Sequence, residues 1–270
     1  MVVVQYNPTG LSTEQIDQLK QLVTRTFLTQ SLVPVTTLMV QAWGDVFNGF
    51  TDKAPFEPLK GDGIIHEELL NCRFRLSATS FFQVNTKATE KLYSIVQEWC
   101  SLDNPQTILL DLCSGTGTIG ITMASKVQRV IGIELCTEAV EAARLNAQLN
   151  ECTNVTYHCG KVEDHINDVL HHLPEGAPIV AVLDPPRAGV HPSVISAVRQ
   201  CKALHRIVFV ACDAKQATKN FIDLCRPTSN RYCGQPFRLV RAKPVDLFPH
   251  TKHCEMVLEF TRHTNEPTTE

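Results

Sequence analysis

The sequence predicts an α/β fold: a doubly wound, mostly parallel sheet that closes on an antiparallel hairpin and is preceded by a small α+β segment. Three observations carry this expectation. From Ile108 onward, short Val/Ile/Leu runs alternate with helical patterns across short connections, as repeated βα units do. A glycine-rich turn follows the first of those runs, at the carboxyl end of a strand where open α/β sheets bind ligands. The stretch FRLVRAKPVDLFPHTKHCEMVLEFTR, 237–262, has no helical period and reads as an antiparallel pair.

The elements follow in order. Leu11 to Leu32 has helical periodicity and opens on Ser12-Thr13-Glu14, a polar start with an acidic first turn. Asn48 to Gly63, with its prolines and glycines, reads as loop. IIHEELLNCRFRLS, running into SFFQVN, suggests a hairpin or paired strands. TKATEKLYSIVQEWC from Thr86 is a helix. ILLDL (108–112) is a strand, with a helix opening over Gly117–Ser125. RVIGIEL (129–135) is the next strand, and Thr137 caps the helix after it. VTYHC (155–159) precedes a helix near Val162–His172, and IVAVLD (179–184) one near Pro192–Cys201. IVFVAC ends on Cys212 before a helix near Lys215–Cys225. We divide the chain into a leading α+β segment (1–85), a main domain (86–262) and a disordered tail (263–270).

Composition narrows the class. Over 270 residues, 43% hydrophobic and 20% charged content is that of a soluble globular protein. No apolar run approaches the roughly 18 residues of a membrane span, and MVVVQYNPTGLSTEQ lacks the basic start and apolar core of a secretory signal. Eleven cysteines, an odd number without a CxxC pair, fit reduced thiols in the cytosol or nucleus better than disulfides, zinc or iron–sulfur. We expect no metal, no membrane and a monomer. The net charge of −3 conceals an asymmetry: Arg199 to Lys243 holds ten Lys/Arg against Asp213 and Asp223, a local +8. Such a segment attracts a polyanion, or is only a solvated helical face.

DLCSGTGTIG (111–120) contains Gly115-x-Gly117-x-x-Gly120 after a strand and opening a helix. Glycines there permit a tight turn and close approach of the backbone to a ligand beside a helix N-terminus. Glu134 ends the next strand, where a carboxylate accepts hydrogen bonds from both hydroxyls of a ribose. NAD and S-adenosyl-L-methionine both satisfy this pattern. LDPPRAG (183–189) separates them, because its prolines hold Asp184 rigidly beside the cleft. Dehydrogenases do not need this element, whereas many base-modifying methyltransferases have it. Arg187 beside Asp184 is a candidate for an RNA phosphate, an enolate oxygen or a structural ion pair.

FFQVN (81–85), DLCSGTGTIG, GIEL, LDPPRAGVH, the Cys212 strand end and PHTKHCEMVLEF occur in one order. In this the chain resembles the RNA uracil-5 methyltransferases of the TrmA/RumA family, above all its eukaryotic homolog A branch, over roughly Ile64 to Arg262. The resemblance implies a Rossmann-like class I methyltransferase sheet, S-adenosyl-L-methionine as cofactor and RNA, here tRNA, as partner. It implies that Gln83, Glu134 and Asp184 contact the cofactor together with the loop containing Cys113, Gly115, Gly117 and Thr118. It also implies that Cys212 is the nucleophile and Glu255 the general base.

Two departures stand beside it. Ala211-Cys212-Asp213-Ala214 replaces the family's Ser-Cys-Asn-Pro, and Asp213 is expected to raise the pKa of its neighbouring thiol. The family's additional N-terminal RNA-binding module is not visible in this sequence. Judged without the resemblance, Glu255 is an edge-strand surface residue, and Glu259 shares its parity. His158, His171, His172 and His253 read as surface or structural, Glu163 and Asp164 as helix N-terminal charges or adenine contacts, and the other ten cysteines as core. Two alternatives stay open: a methyltransferase acting on exocyclic amines, which needs no cysteine, and a non-catalytic RNA-binding homolog.

Overall fold

A computed structural model of the chain describes residues 1–45, 53–230 and 232–262. The expected disordered tail and Arg231 of the basic segment lie outside the described residues. The chain divides into two compact units, 1–67 with 74–82, and 68–73 with 83 onward.

In the first unit, β1 (Val2–Tyr6) pairs in parallel with β2 (Leu38–Ala42), and β3 (Phe56–Lys60) joins β2 antiparallel. The helix α1 (Thr13–Leu28) starts at Ser12, whose hydroxyl accepts from the Gln15 N–H while the Gln15 side chain accepts from the Ser12 N–H. This reciprocal cap fixes the helix start two residues beyond Leu11. Val23 of α1 meets Leu38 and Val40, with Val2, Val4, Leu19 and Phe27 packed around them. The loop expected over 48–63 is therefore corrected: its second half is the edge strand β3. Pro58 and the exposed Glu57 and Lys60 hide that strand from a reading by alternation.

The chain passes between the units through a hairpin of β4 (Ile65–Leu69) and β5 (Cys72–Leu76). Leu70 and Asn71, at φ 49° and 63°, form its two-residue turn, the left-handed pair that tight hairpins require.

The second unit begins with α2 (Thr86–Cys100), capped by the Asn85 side chain. Its strands are β6 (Ile108–Leu112), β7 (Arg129–Glu134), β8 (Val155–Cys159), β9 (Ile179–Leu183), β10 (Leu204–Ala211), β11 (Arg238–Val245) and β12 (Glu255–Thr261). They lie in the order β11-β12-β10-β9-β6-β7-β8. The five from β10 to β8 are parallel, and β12 and β11 close the sheet antiparallel. The intervening helices are α3 (Thr118–Met123), α4 (Thr137–Leu149), α5 (Val162–His171), α6 (Pro192–Gln200) and α7 (Ala214–Cys225). Every residue of β6 and β9 is buried, the state of central parallel strands covered by helices on both faces. Ile108, Leu110, Leu112, Ala181, Leu183, Ile207 and Phe209 share a core with residues of α5, α6 and α7.

Two expectations need correction in this unit. Thr137 is the first residue of α4 rather than its cap; Cys136 holds the cap position and its side chain bonds no helix amide. The cysteines are not mostly core. Cys100 alone is buried, Cys136, Cys159 and Cys233 are exposed, and all eleven are free thiols.

Candidate active site

The carboxyl ends of β6, β7, β9 and β10 lie along one edge of the sheet. Because β12 is antiparallel, it brings its first residue to that edge. Its last register pair with β10 is Ala211↔Met256, so the next position sets Cys212 opposite Glu255. Asp184 follows β9 directly and ties back to β6 through its N–H to Leu112 O at 3.3 Å. Strand pairing thus gathers Cys113, Glu134, Asp184, Cys212 and Glu255 along one row of strand ends.

The glycine loop hangs over this edge. Cys113, at φ 66°, is one of few non-glycine residues in the left-handed region, a strained state that tends to persist at functional turns. Its N–H and that of Ser114 both donate to Ile133 O, at 2.9 and 3.2 Å. Gly115 and Gly117, at φ 53° and 82°, continue the left-handed turn. No atom stands within 4 Å of where a Gly115 Cβ would be, so the loop is open on that side. A Cβ on Gly117 would overlap the Tyr157 hydroxyl. Glu134 fastens the loop: Oε2 accepts from Gly115 N–H and Oε1 from Cys136 N–H, each at 2.9 Å. Both oxygens keep lone pairs for further donors. Thr118 starts α3, and its hydroxyl meets the Tyr93 hydroxyl of α2 at 2.9 Å.

The electrostatics of the edge are dominated by desolvation. Burial, with lesser contributions from Glu255 and Asp111, pushes the Asp184 carboxyl up to about 8. Burial alone takes Glu255 up to about 7; the residue is 2% exposed and its Oε2 has no partner. Asp111 is raised to about 7 by burial and, more weakly, by Glu134, against the opposing bond from Gly120 N–H at 2.9 Å. Its Oδ1 is unpartnered. The half-buried Cys212 thiol is raised by burial first, then by Glu255 and Asp184, while Arg187 opposes the shift. The direction matches expectation, but the cause is corrected. Asp213 has turned its carboxylate to the start of α7, where Oδ1 accepts from Gln216 N–H at 3.1 Å. It is a helix cap and not a source of the thiol's shift.

Glu255 and Glu259 are now distinguishable. Glu259 is buried between Arg206, at 2.9 Å, and Arg241, whereas no cation pairs with Glu255 among the described residues. Gln83 is buried just ahead of α2, and no hydrogen bond joins it to the residues above among those described. Two residues escaped the sequence reading. Asp111 had a signal, a carboxylate inside the apolar strand ILLDL; Tyr93 had none, because its helical spacing is that of the core residues Leu92, Val96 and Trp99.

The basic segment is only partly a surface. Arg199 is 1% exposed and donates to the carbonyls of Asp223, Leu224, Arg226, Tyr232, Cys233 and Gly234. Arg206 and Arg241 pair with Glu259, and Lys219 and Arg226 with Asp223. Lys202, Lys215, Arg238 and Lys243 remain exposed and form no ion pair among the described residues. Two of them, Lys215 in the first turn of α7 and Lys243 of β11, which pairs with Val257 two residues beyond Glu255, lie toward the Cys212 end of the sheet, as does the exposed Arg187. No group of three or more His, Cys, Asp or Glu fit to hold a metal ion occurs among the described residues, and no described helix is long and apolar enough to cross a membrane.

This sheet order, with its glycine loop, strand-end carboxylate and closing hairpin, defines a Rossmann-like methyltransferase domain. A family model described as a methyltransferase domain matches residues 103–172. The chain is 47% identical over 264 residues to human tRNA (uracil-5-)-methyltransferase homolog A, covering 97% of this chain and 42% of that protein. It is 41% identical over 267 residues to human tRNA (uracil-5-)-methyltransferase homolog B, covering 97% and 53%. By sequence it belongs to the tRNA (uracil-5-)-methyltransferase family, and it spans about half the length of these curated relatives. Among solved structures it resembles Pyrococcus abyssi tRNA (uracil-54, C5)-methyltransferase in complex with S-adenosyl-L-homocysteine. There the TM-score is 0.63 at 24% identity, over 85% of this chain and 52% of that one. The M. jannaschii tRNA m1G37 methyltransferase gives 0.58 at 13% identity, over 97% and 73%. At these identities the structures support the fold alone.

Proposed function

We propose that the chain is the catalytic part of an S-adenosyl-L-methionine-dependent tRNA (uracil-5-)-methyltransferase, acting through a covalent Cys212 adduct. The observation that carries this reading is the β10–β12 register, which sets a thiol opposite an unpaired buried carboxyl beside the glycine loop. Methylation of exocyclic amines needs no such thiol. Residues 86–262 would do the chemistry and 1–85 would belong to RNA binding. The functional unit is a monomer of the cytoplasm or nucleus.

The residues fit the cofactor. Glu134 retains acceptor capacity for ribose hydroxyls, Gly115 faces open space, and Asp184 presents a carboxyl at the junction with Cys212. Gln83, Cys113, Gly117 and Thr118 complete the proposed binding set. S-adenosyl-L-methionine, when bound, supplies an electrophilic methyl group.

C5 of uracil is a weak nucleophile, so the chain must first activate the ring. Cys212, as thiolate, adds to C6 and leaves electron density on C5 and the O4 enolate. Arg187, near enough to depress the thiol's pKa, supplies positive charge for that enolate or for an RNA phosphate. C5 then takes the methyl group. Glu255 removes the C5 proton, and the C6–S bond breaks to release 5-methyluridine and the thiolate. A carboxyl poised near neutrality suits that step.

Incubation with labelled S-adenosyl-L-methionine and unmodified tRNA, followed by nucleoside analysis, tests the reading. Label in 5-methyluridine is expected. Label on an exocyclic amine, or RNA binding without methyl transfer, would overturn it in favour of one or other alternative.

A further inference from the structure

The turn after β9 and the helix after Cys212 are joined by a side chain that the proposed chemistry does not itself require. Asn220 of α7 is buried. Its Oδ1 accepts from Val190 N–H at 2.9 Å, and its Nδ2 donates to Val190 O at 3.0 Å. One amide therefore satisfies both main-chain groups of one residue, as a neighbouring strand would. Gly189, at φ 78°, precedes Val190, and a Cβ there would overlap Asn220 Oδ1; the glycine keeps the approach open.

The turn's other end is fixed to the sheet by Asp184 N–H on Leu112 O, and Gly189 N–H closes it on Pro186 O at 2.8 Å. Asp184 to Val190 is thus anchored at both ends, with Arg187 between the anchors. Asn220 stands eight residues after Cys212, two turns into a helix that begins at Ala214.

We infer that Asn220 is a positioning residue: it holds the Asp184–Arg187 turn and the Cys212 thiol in one rigid frame. The inference rests on the proposed function for its substrate, while the frame itself is read on the thiol.

Asn220→Ala and Asn220→Asp, the latter keeping an oxygen for Val190 N–H, test it in the full chain. Alkylation of Cys212 by iodoacetamide is followed across pH by mass spectrometry of its peptide. Methyl transfer to unmodified tRNA, calorimetric binding of S-adenosyl-L-homocysteine and thermal melting accompany it. In Asn220→Ala the Asp184 end keeps its bond to Leu112 O while the Val190 end and Arg187, which opposes the upward shift of the thiol, are released, so the alkylation midpoint should rise by about half a pH unit. Methyl transfer should fall about tenfold or more, since misplacement by an ångström is costly in rate. Affinity for S-adenosyl-L-homocysteine should stay within about threefold, because Glu134 and the glycine loop are untouched. Asn220→Asp should lie between wild type and alanine, and it decides by the same profile if the alanine variant does not fold. An unchanged alkylation profile overturns the inference, including where activity and melting temperature fall together, since that combination is packing alone. If wild type fails to methylate tRNA, the functional reading falls and the alkylation profile still judges the frame.

Discussion

At the scale of single residues, the edge holds the proposed nucleophile, Cys212, and three carboxyls whose pKa values burial raises. Cys212→Ala should remove both the covalent RNA adduct and methyl transfer, by at least about 10⁴-fold. Glu255→Gln should still add to C6 and transfer methyl, then stall. A denaturation-resistant protein–RNA species should accumulate on gels in that variant and not in Cys212→Ala; 5-methyluridine made by Cys212→Ala would remove the thiol from the mechanism. The carboxyls predict a proton linkage. Asp111, Asp184 and Glu255 hold protons more tightly folded than unfolded. Their contribution to stability is therefore greatest below the ordinary carboxylate pKa of about 4 and is lost as pH rises through about 7 and 8. A sulfonium cation at the Asp184 end reverses this preference and should expel protons on binding. Calorimetry in buffers of different ionisation enthalpy should detect release with S-adenosyl-L-methionine and little with its neutral product. Equal release with both would place the sulfonium away from these groups.

At the scale of elements, the site's strands were legible where physics leaves a short apolar run between turn signals. The spans expected for α2, β6 and β8 coincide with those observed; for β6 the reason is that a central strand covered on both faces must be apolar throughout. The first unit was less legible. β1 and β2 are single five-residue strands with no alternation, and β3 is a polar edge. Strand-end residues such as Glu134 and Asp184 stood out by position. The opposition of Cys212 and Glu255 did not, since register across an antiparallel pair separated by a long connection is written in no local pattern. Nor did Asn220, an amide inside a helical period. Asp213 shows the converse, a neighbour in sequence whose side chain faces elsewhere. Asp213→Asn, an equally good cap, should leave the Cys212 alkylation profile unchanged. Asp213→Ala, which loses the cap on α7, should lower the midpoint of denaturant melts. A lower thiol pKa in the asparagine variant would restore Asp213 as its cause.

At the scale of the whole molecule, net charge is a poor guide to the proposed RNA surface, because five of the ten basic residues between Arg199 and Lys243 are buried or paired within the fold. Arg187, Lys215 and Lys243 are the exposed cations at the Cys212 end. RNA affinity should fall with salt by a log–log slope of about 2–3 if each meets one phosphate. Lys215→Ala with Lys243→Ala should reduce that slope by roughly 1.5, and an unchanged slope would move the RNA surface elsewhere. The antiparallel seating of β12 also bears on the order in which the molecule is made. The glycine loop, Glu134 and Asp184 all lie between residues 111 and 184, and Cys212 follows soon after. Glu255 is delivered by the strand that closes the sheet. A chain emerging from the ribosome therefore contains its proposed cofactor cleft and its proposed nucleophile before it owns the group proposed to release a methylated base. Among the groups proposed for the reaction, the one that would permit turnover is thus the last to be synthesised.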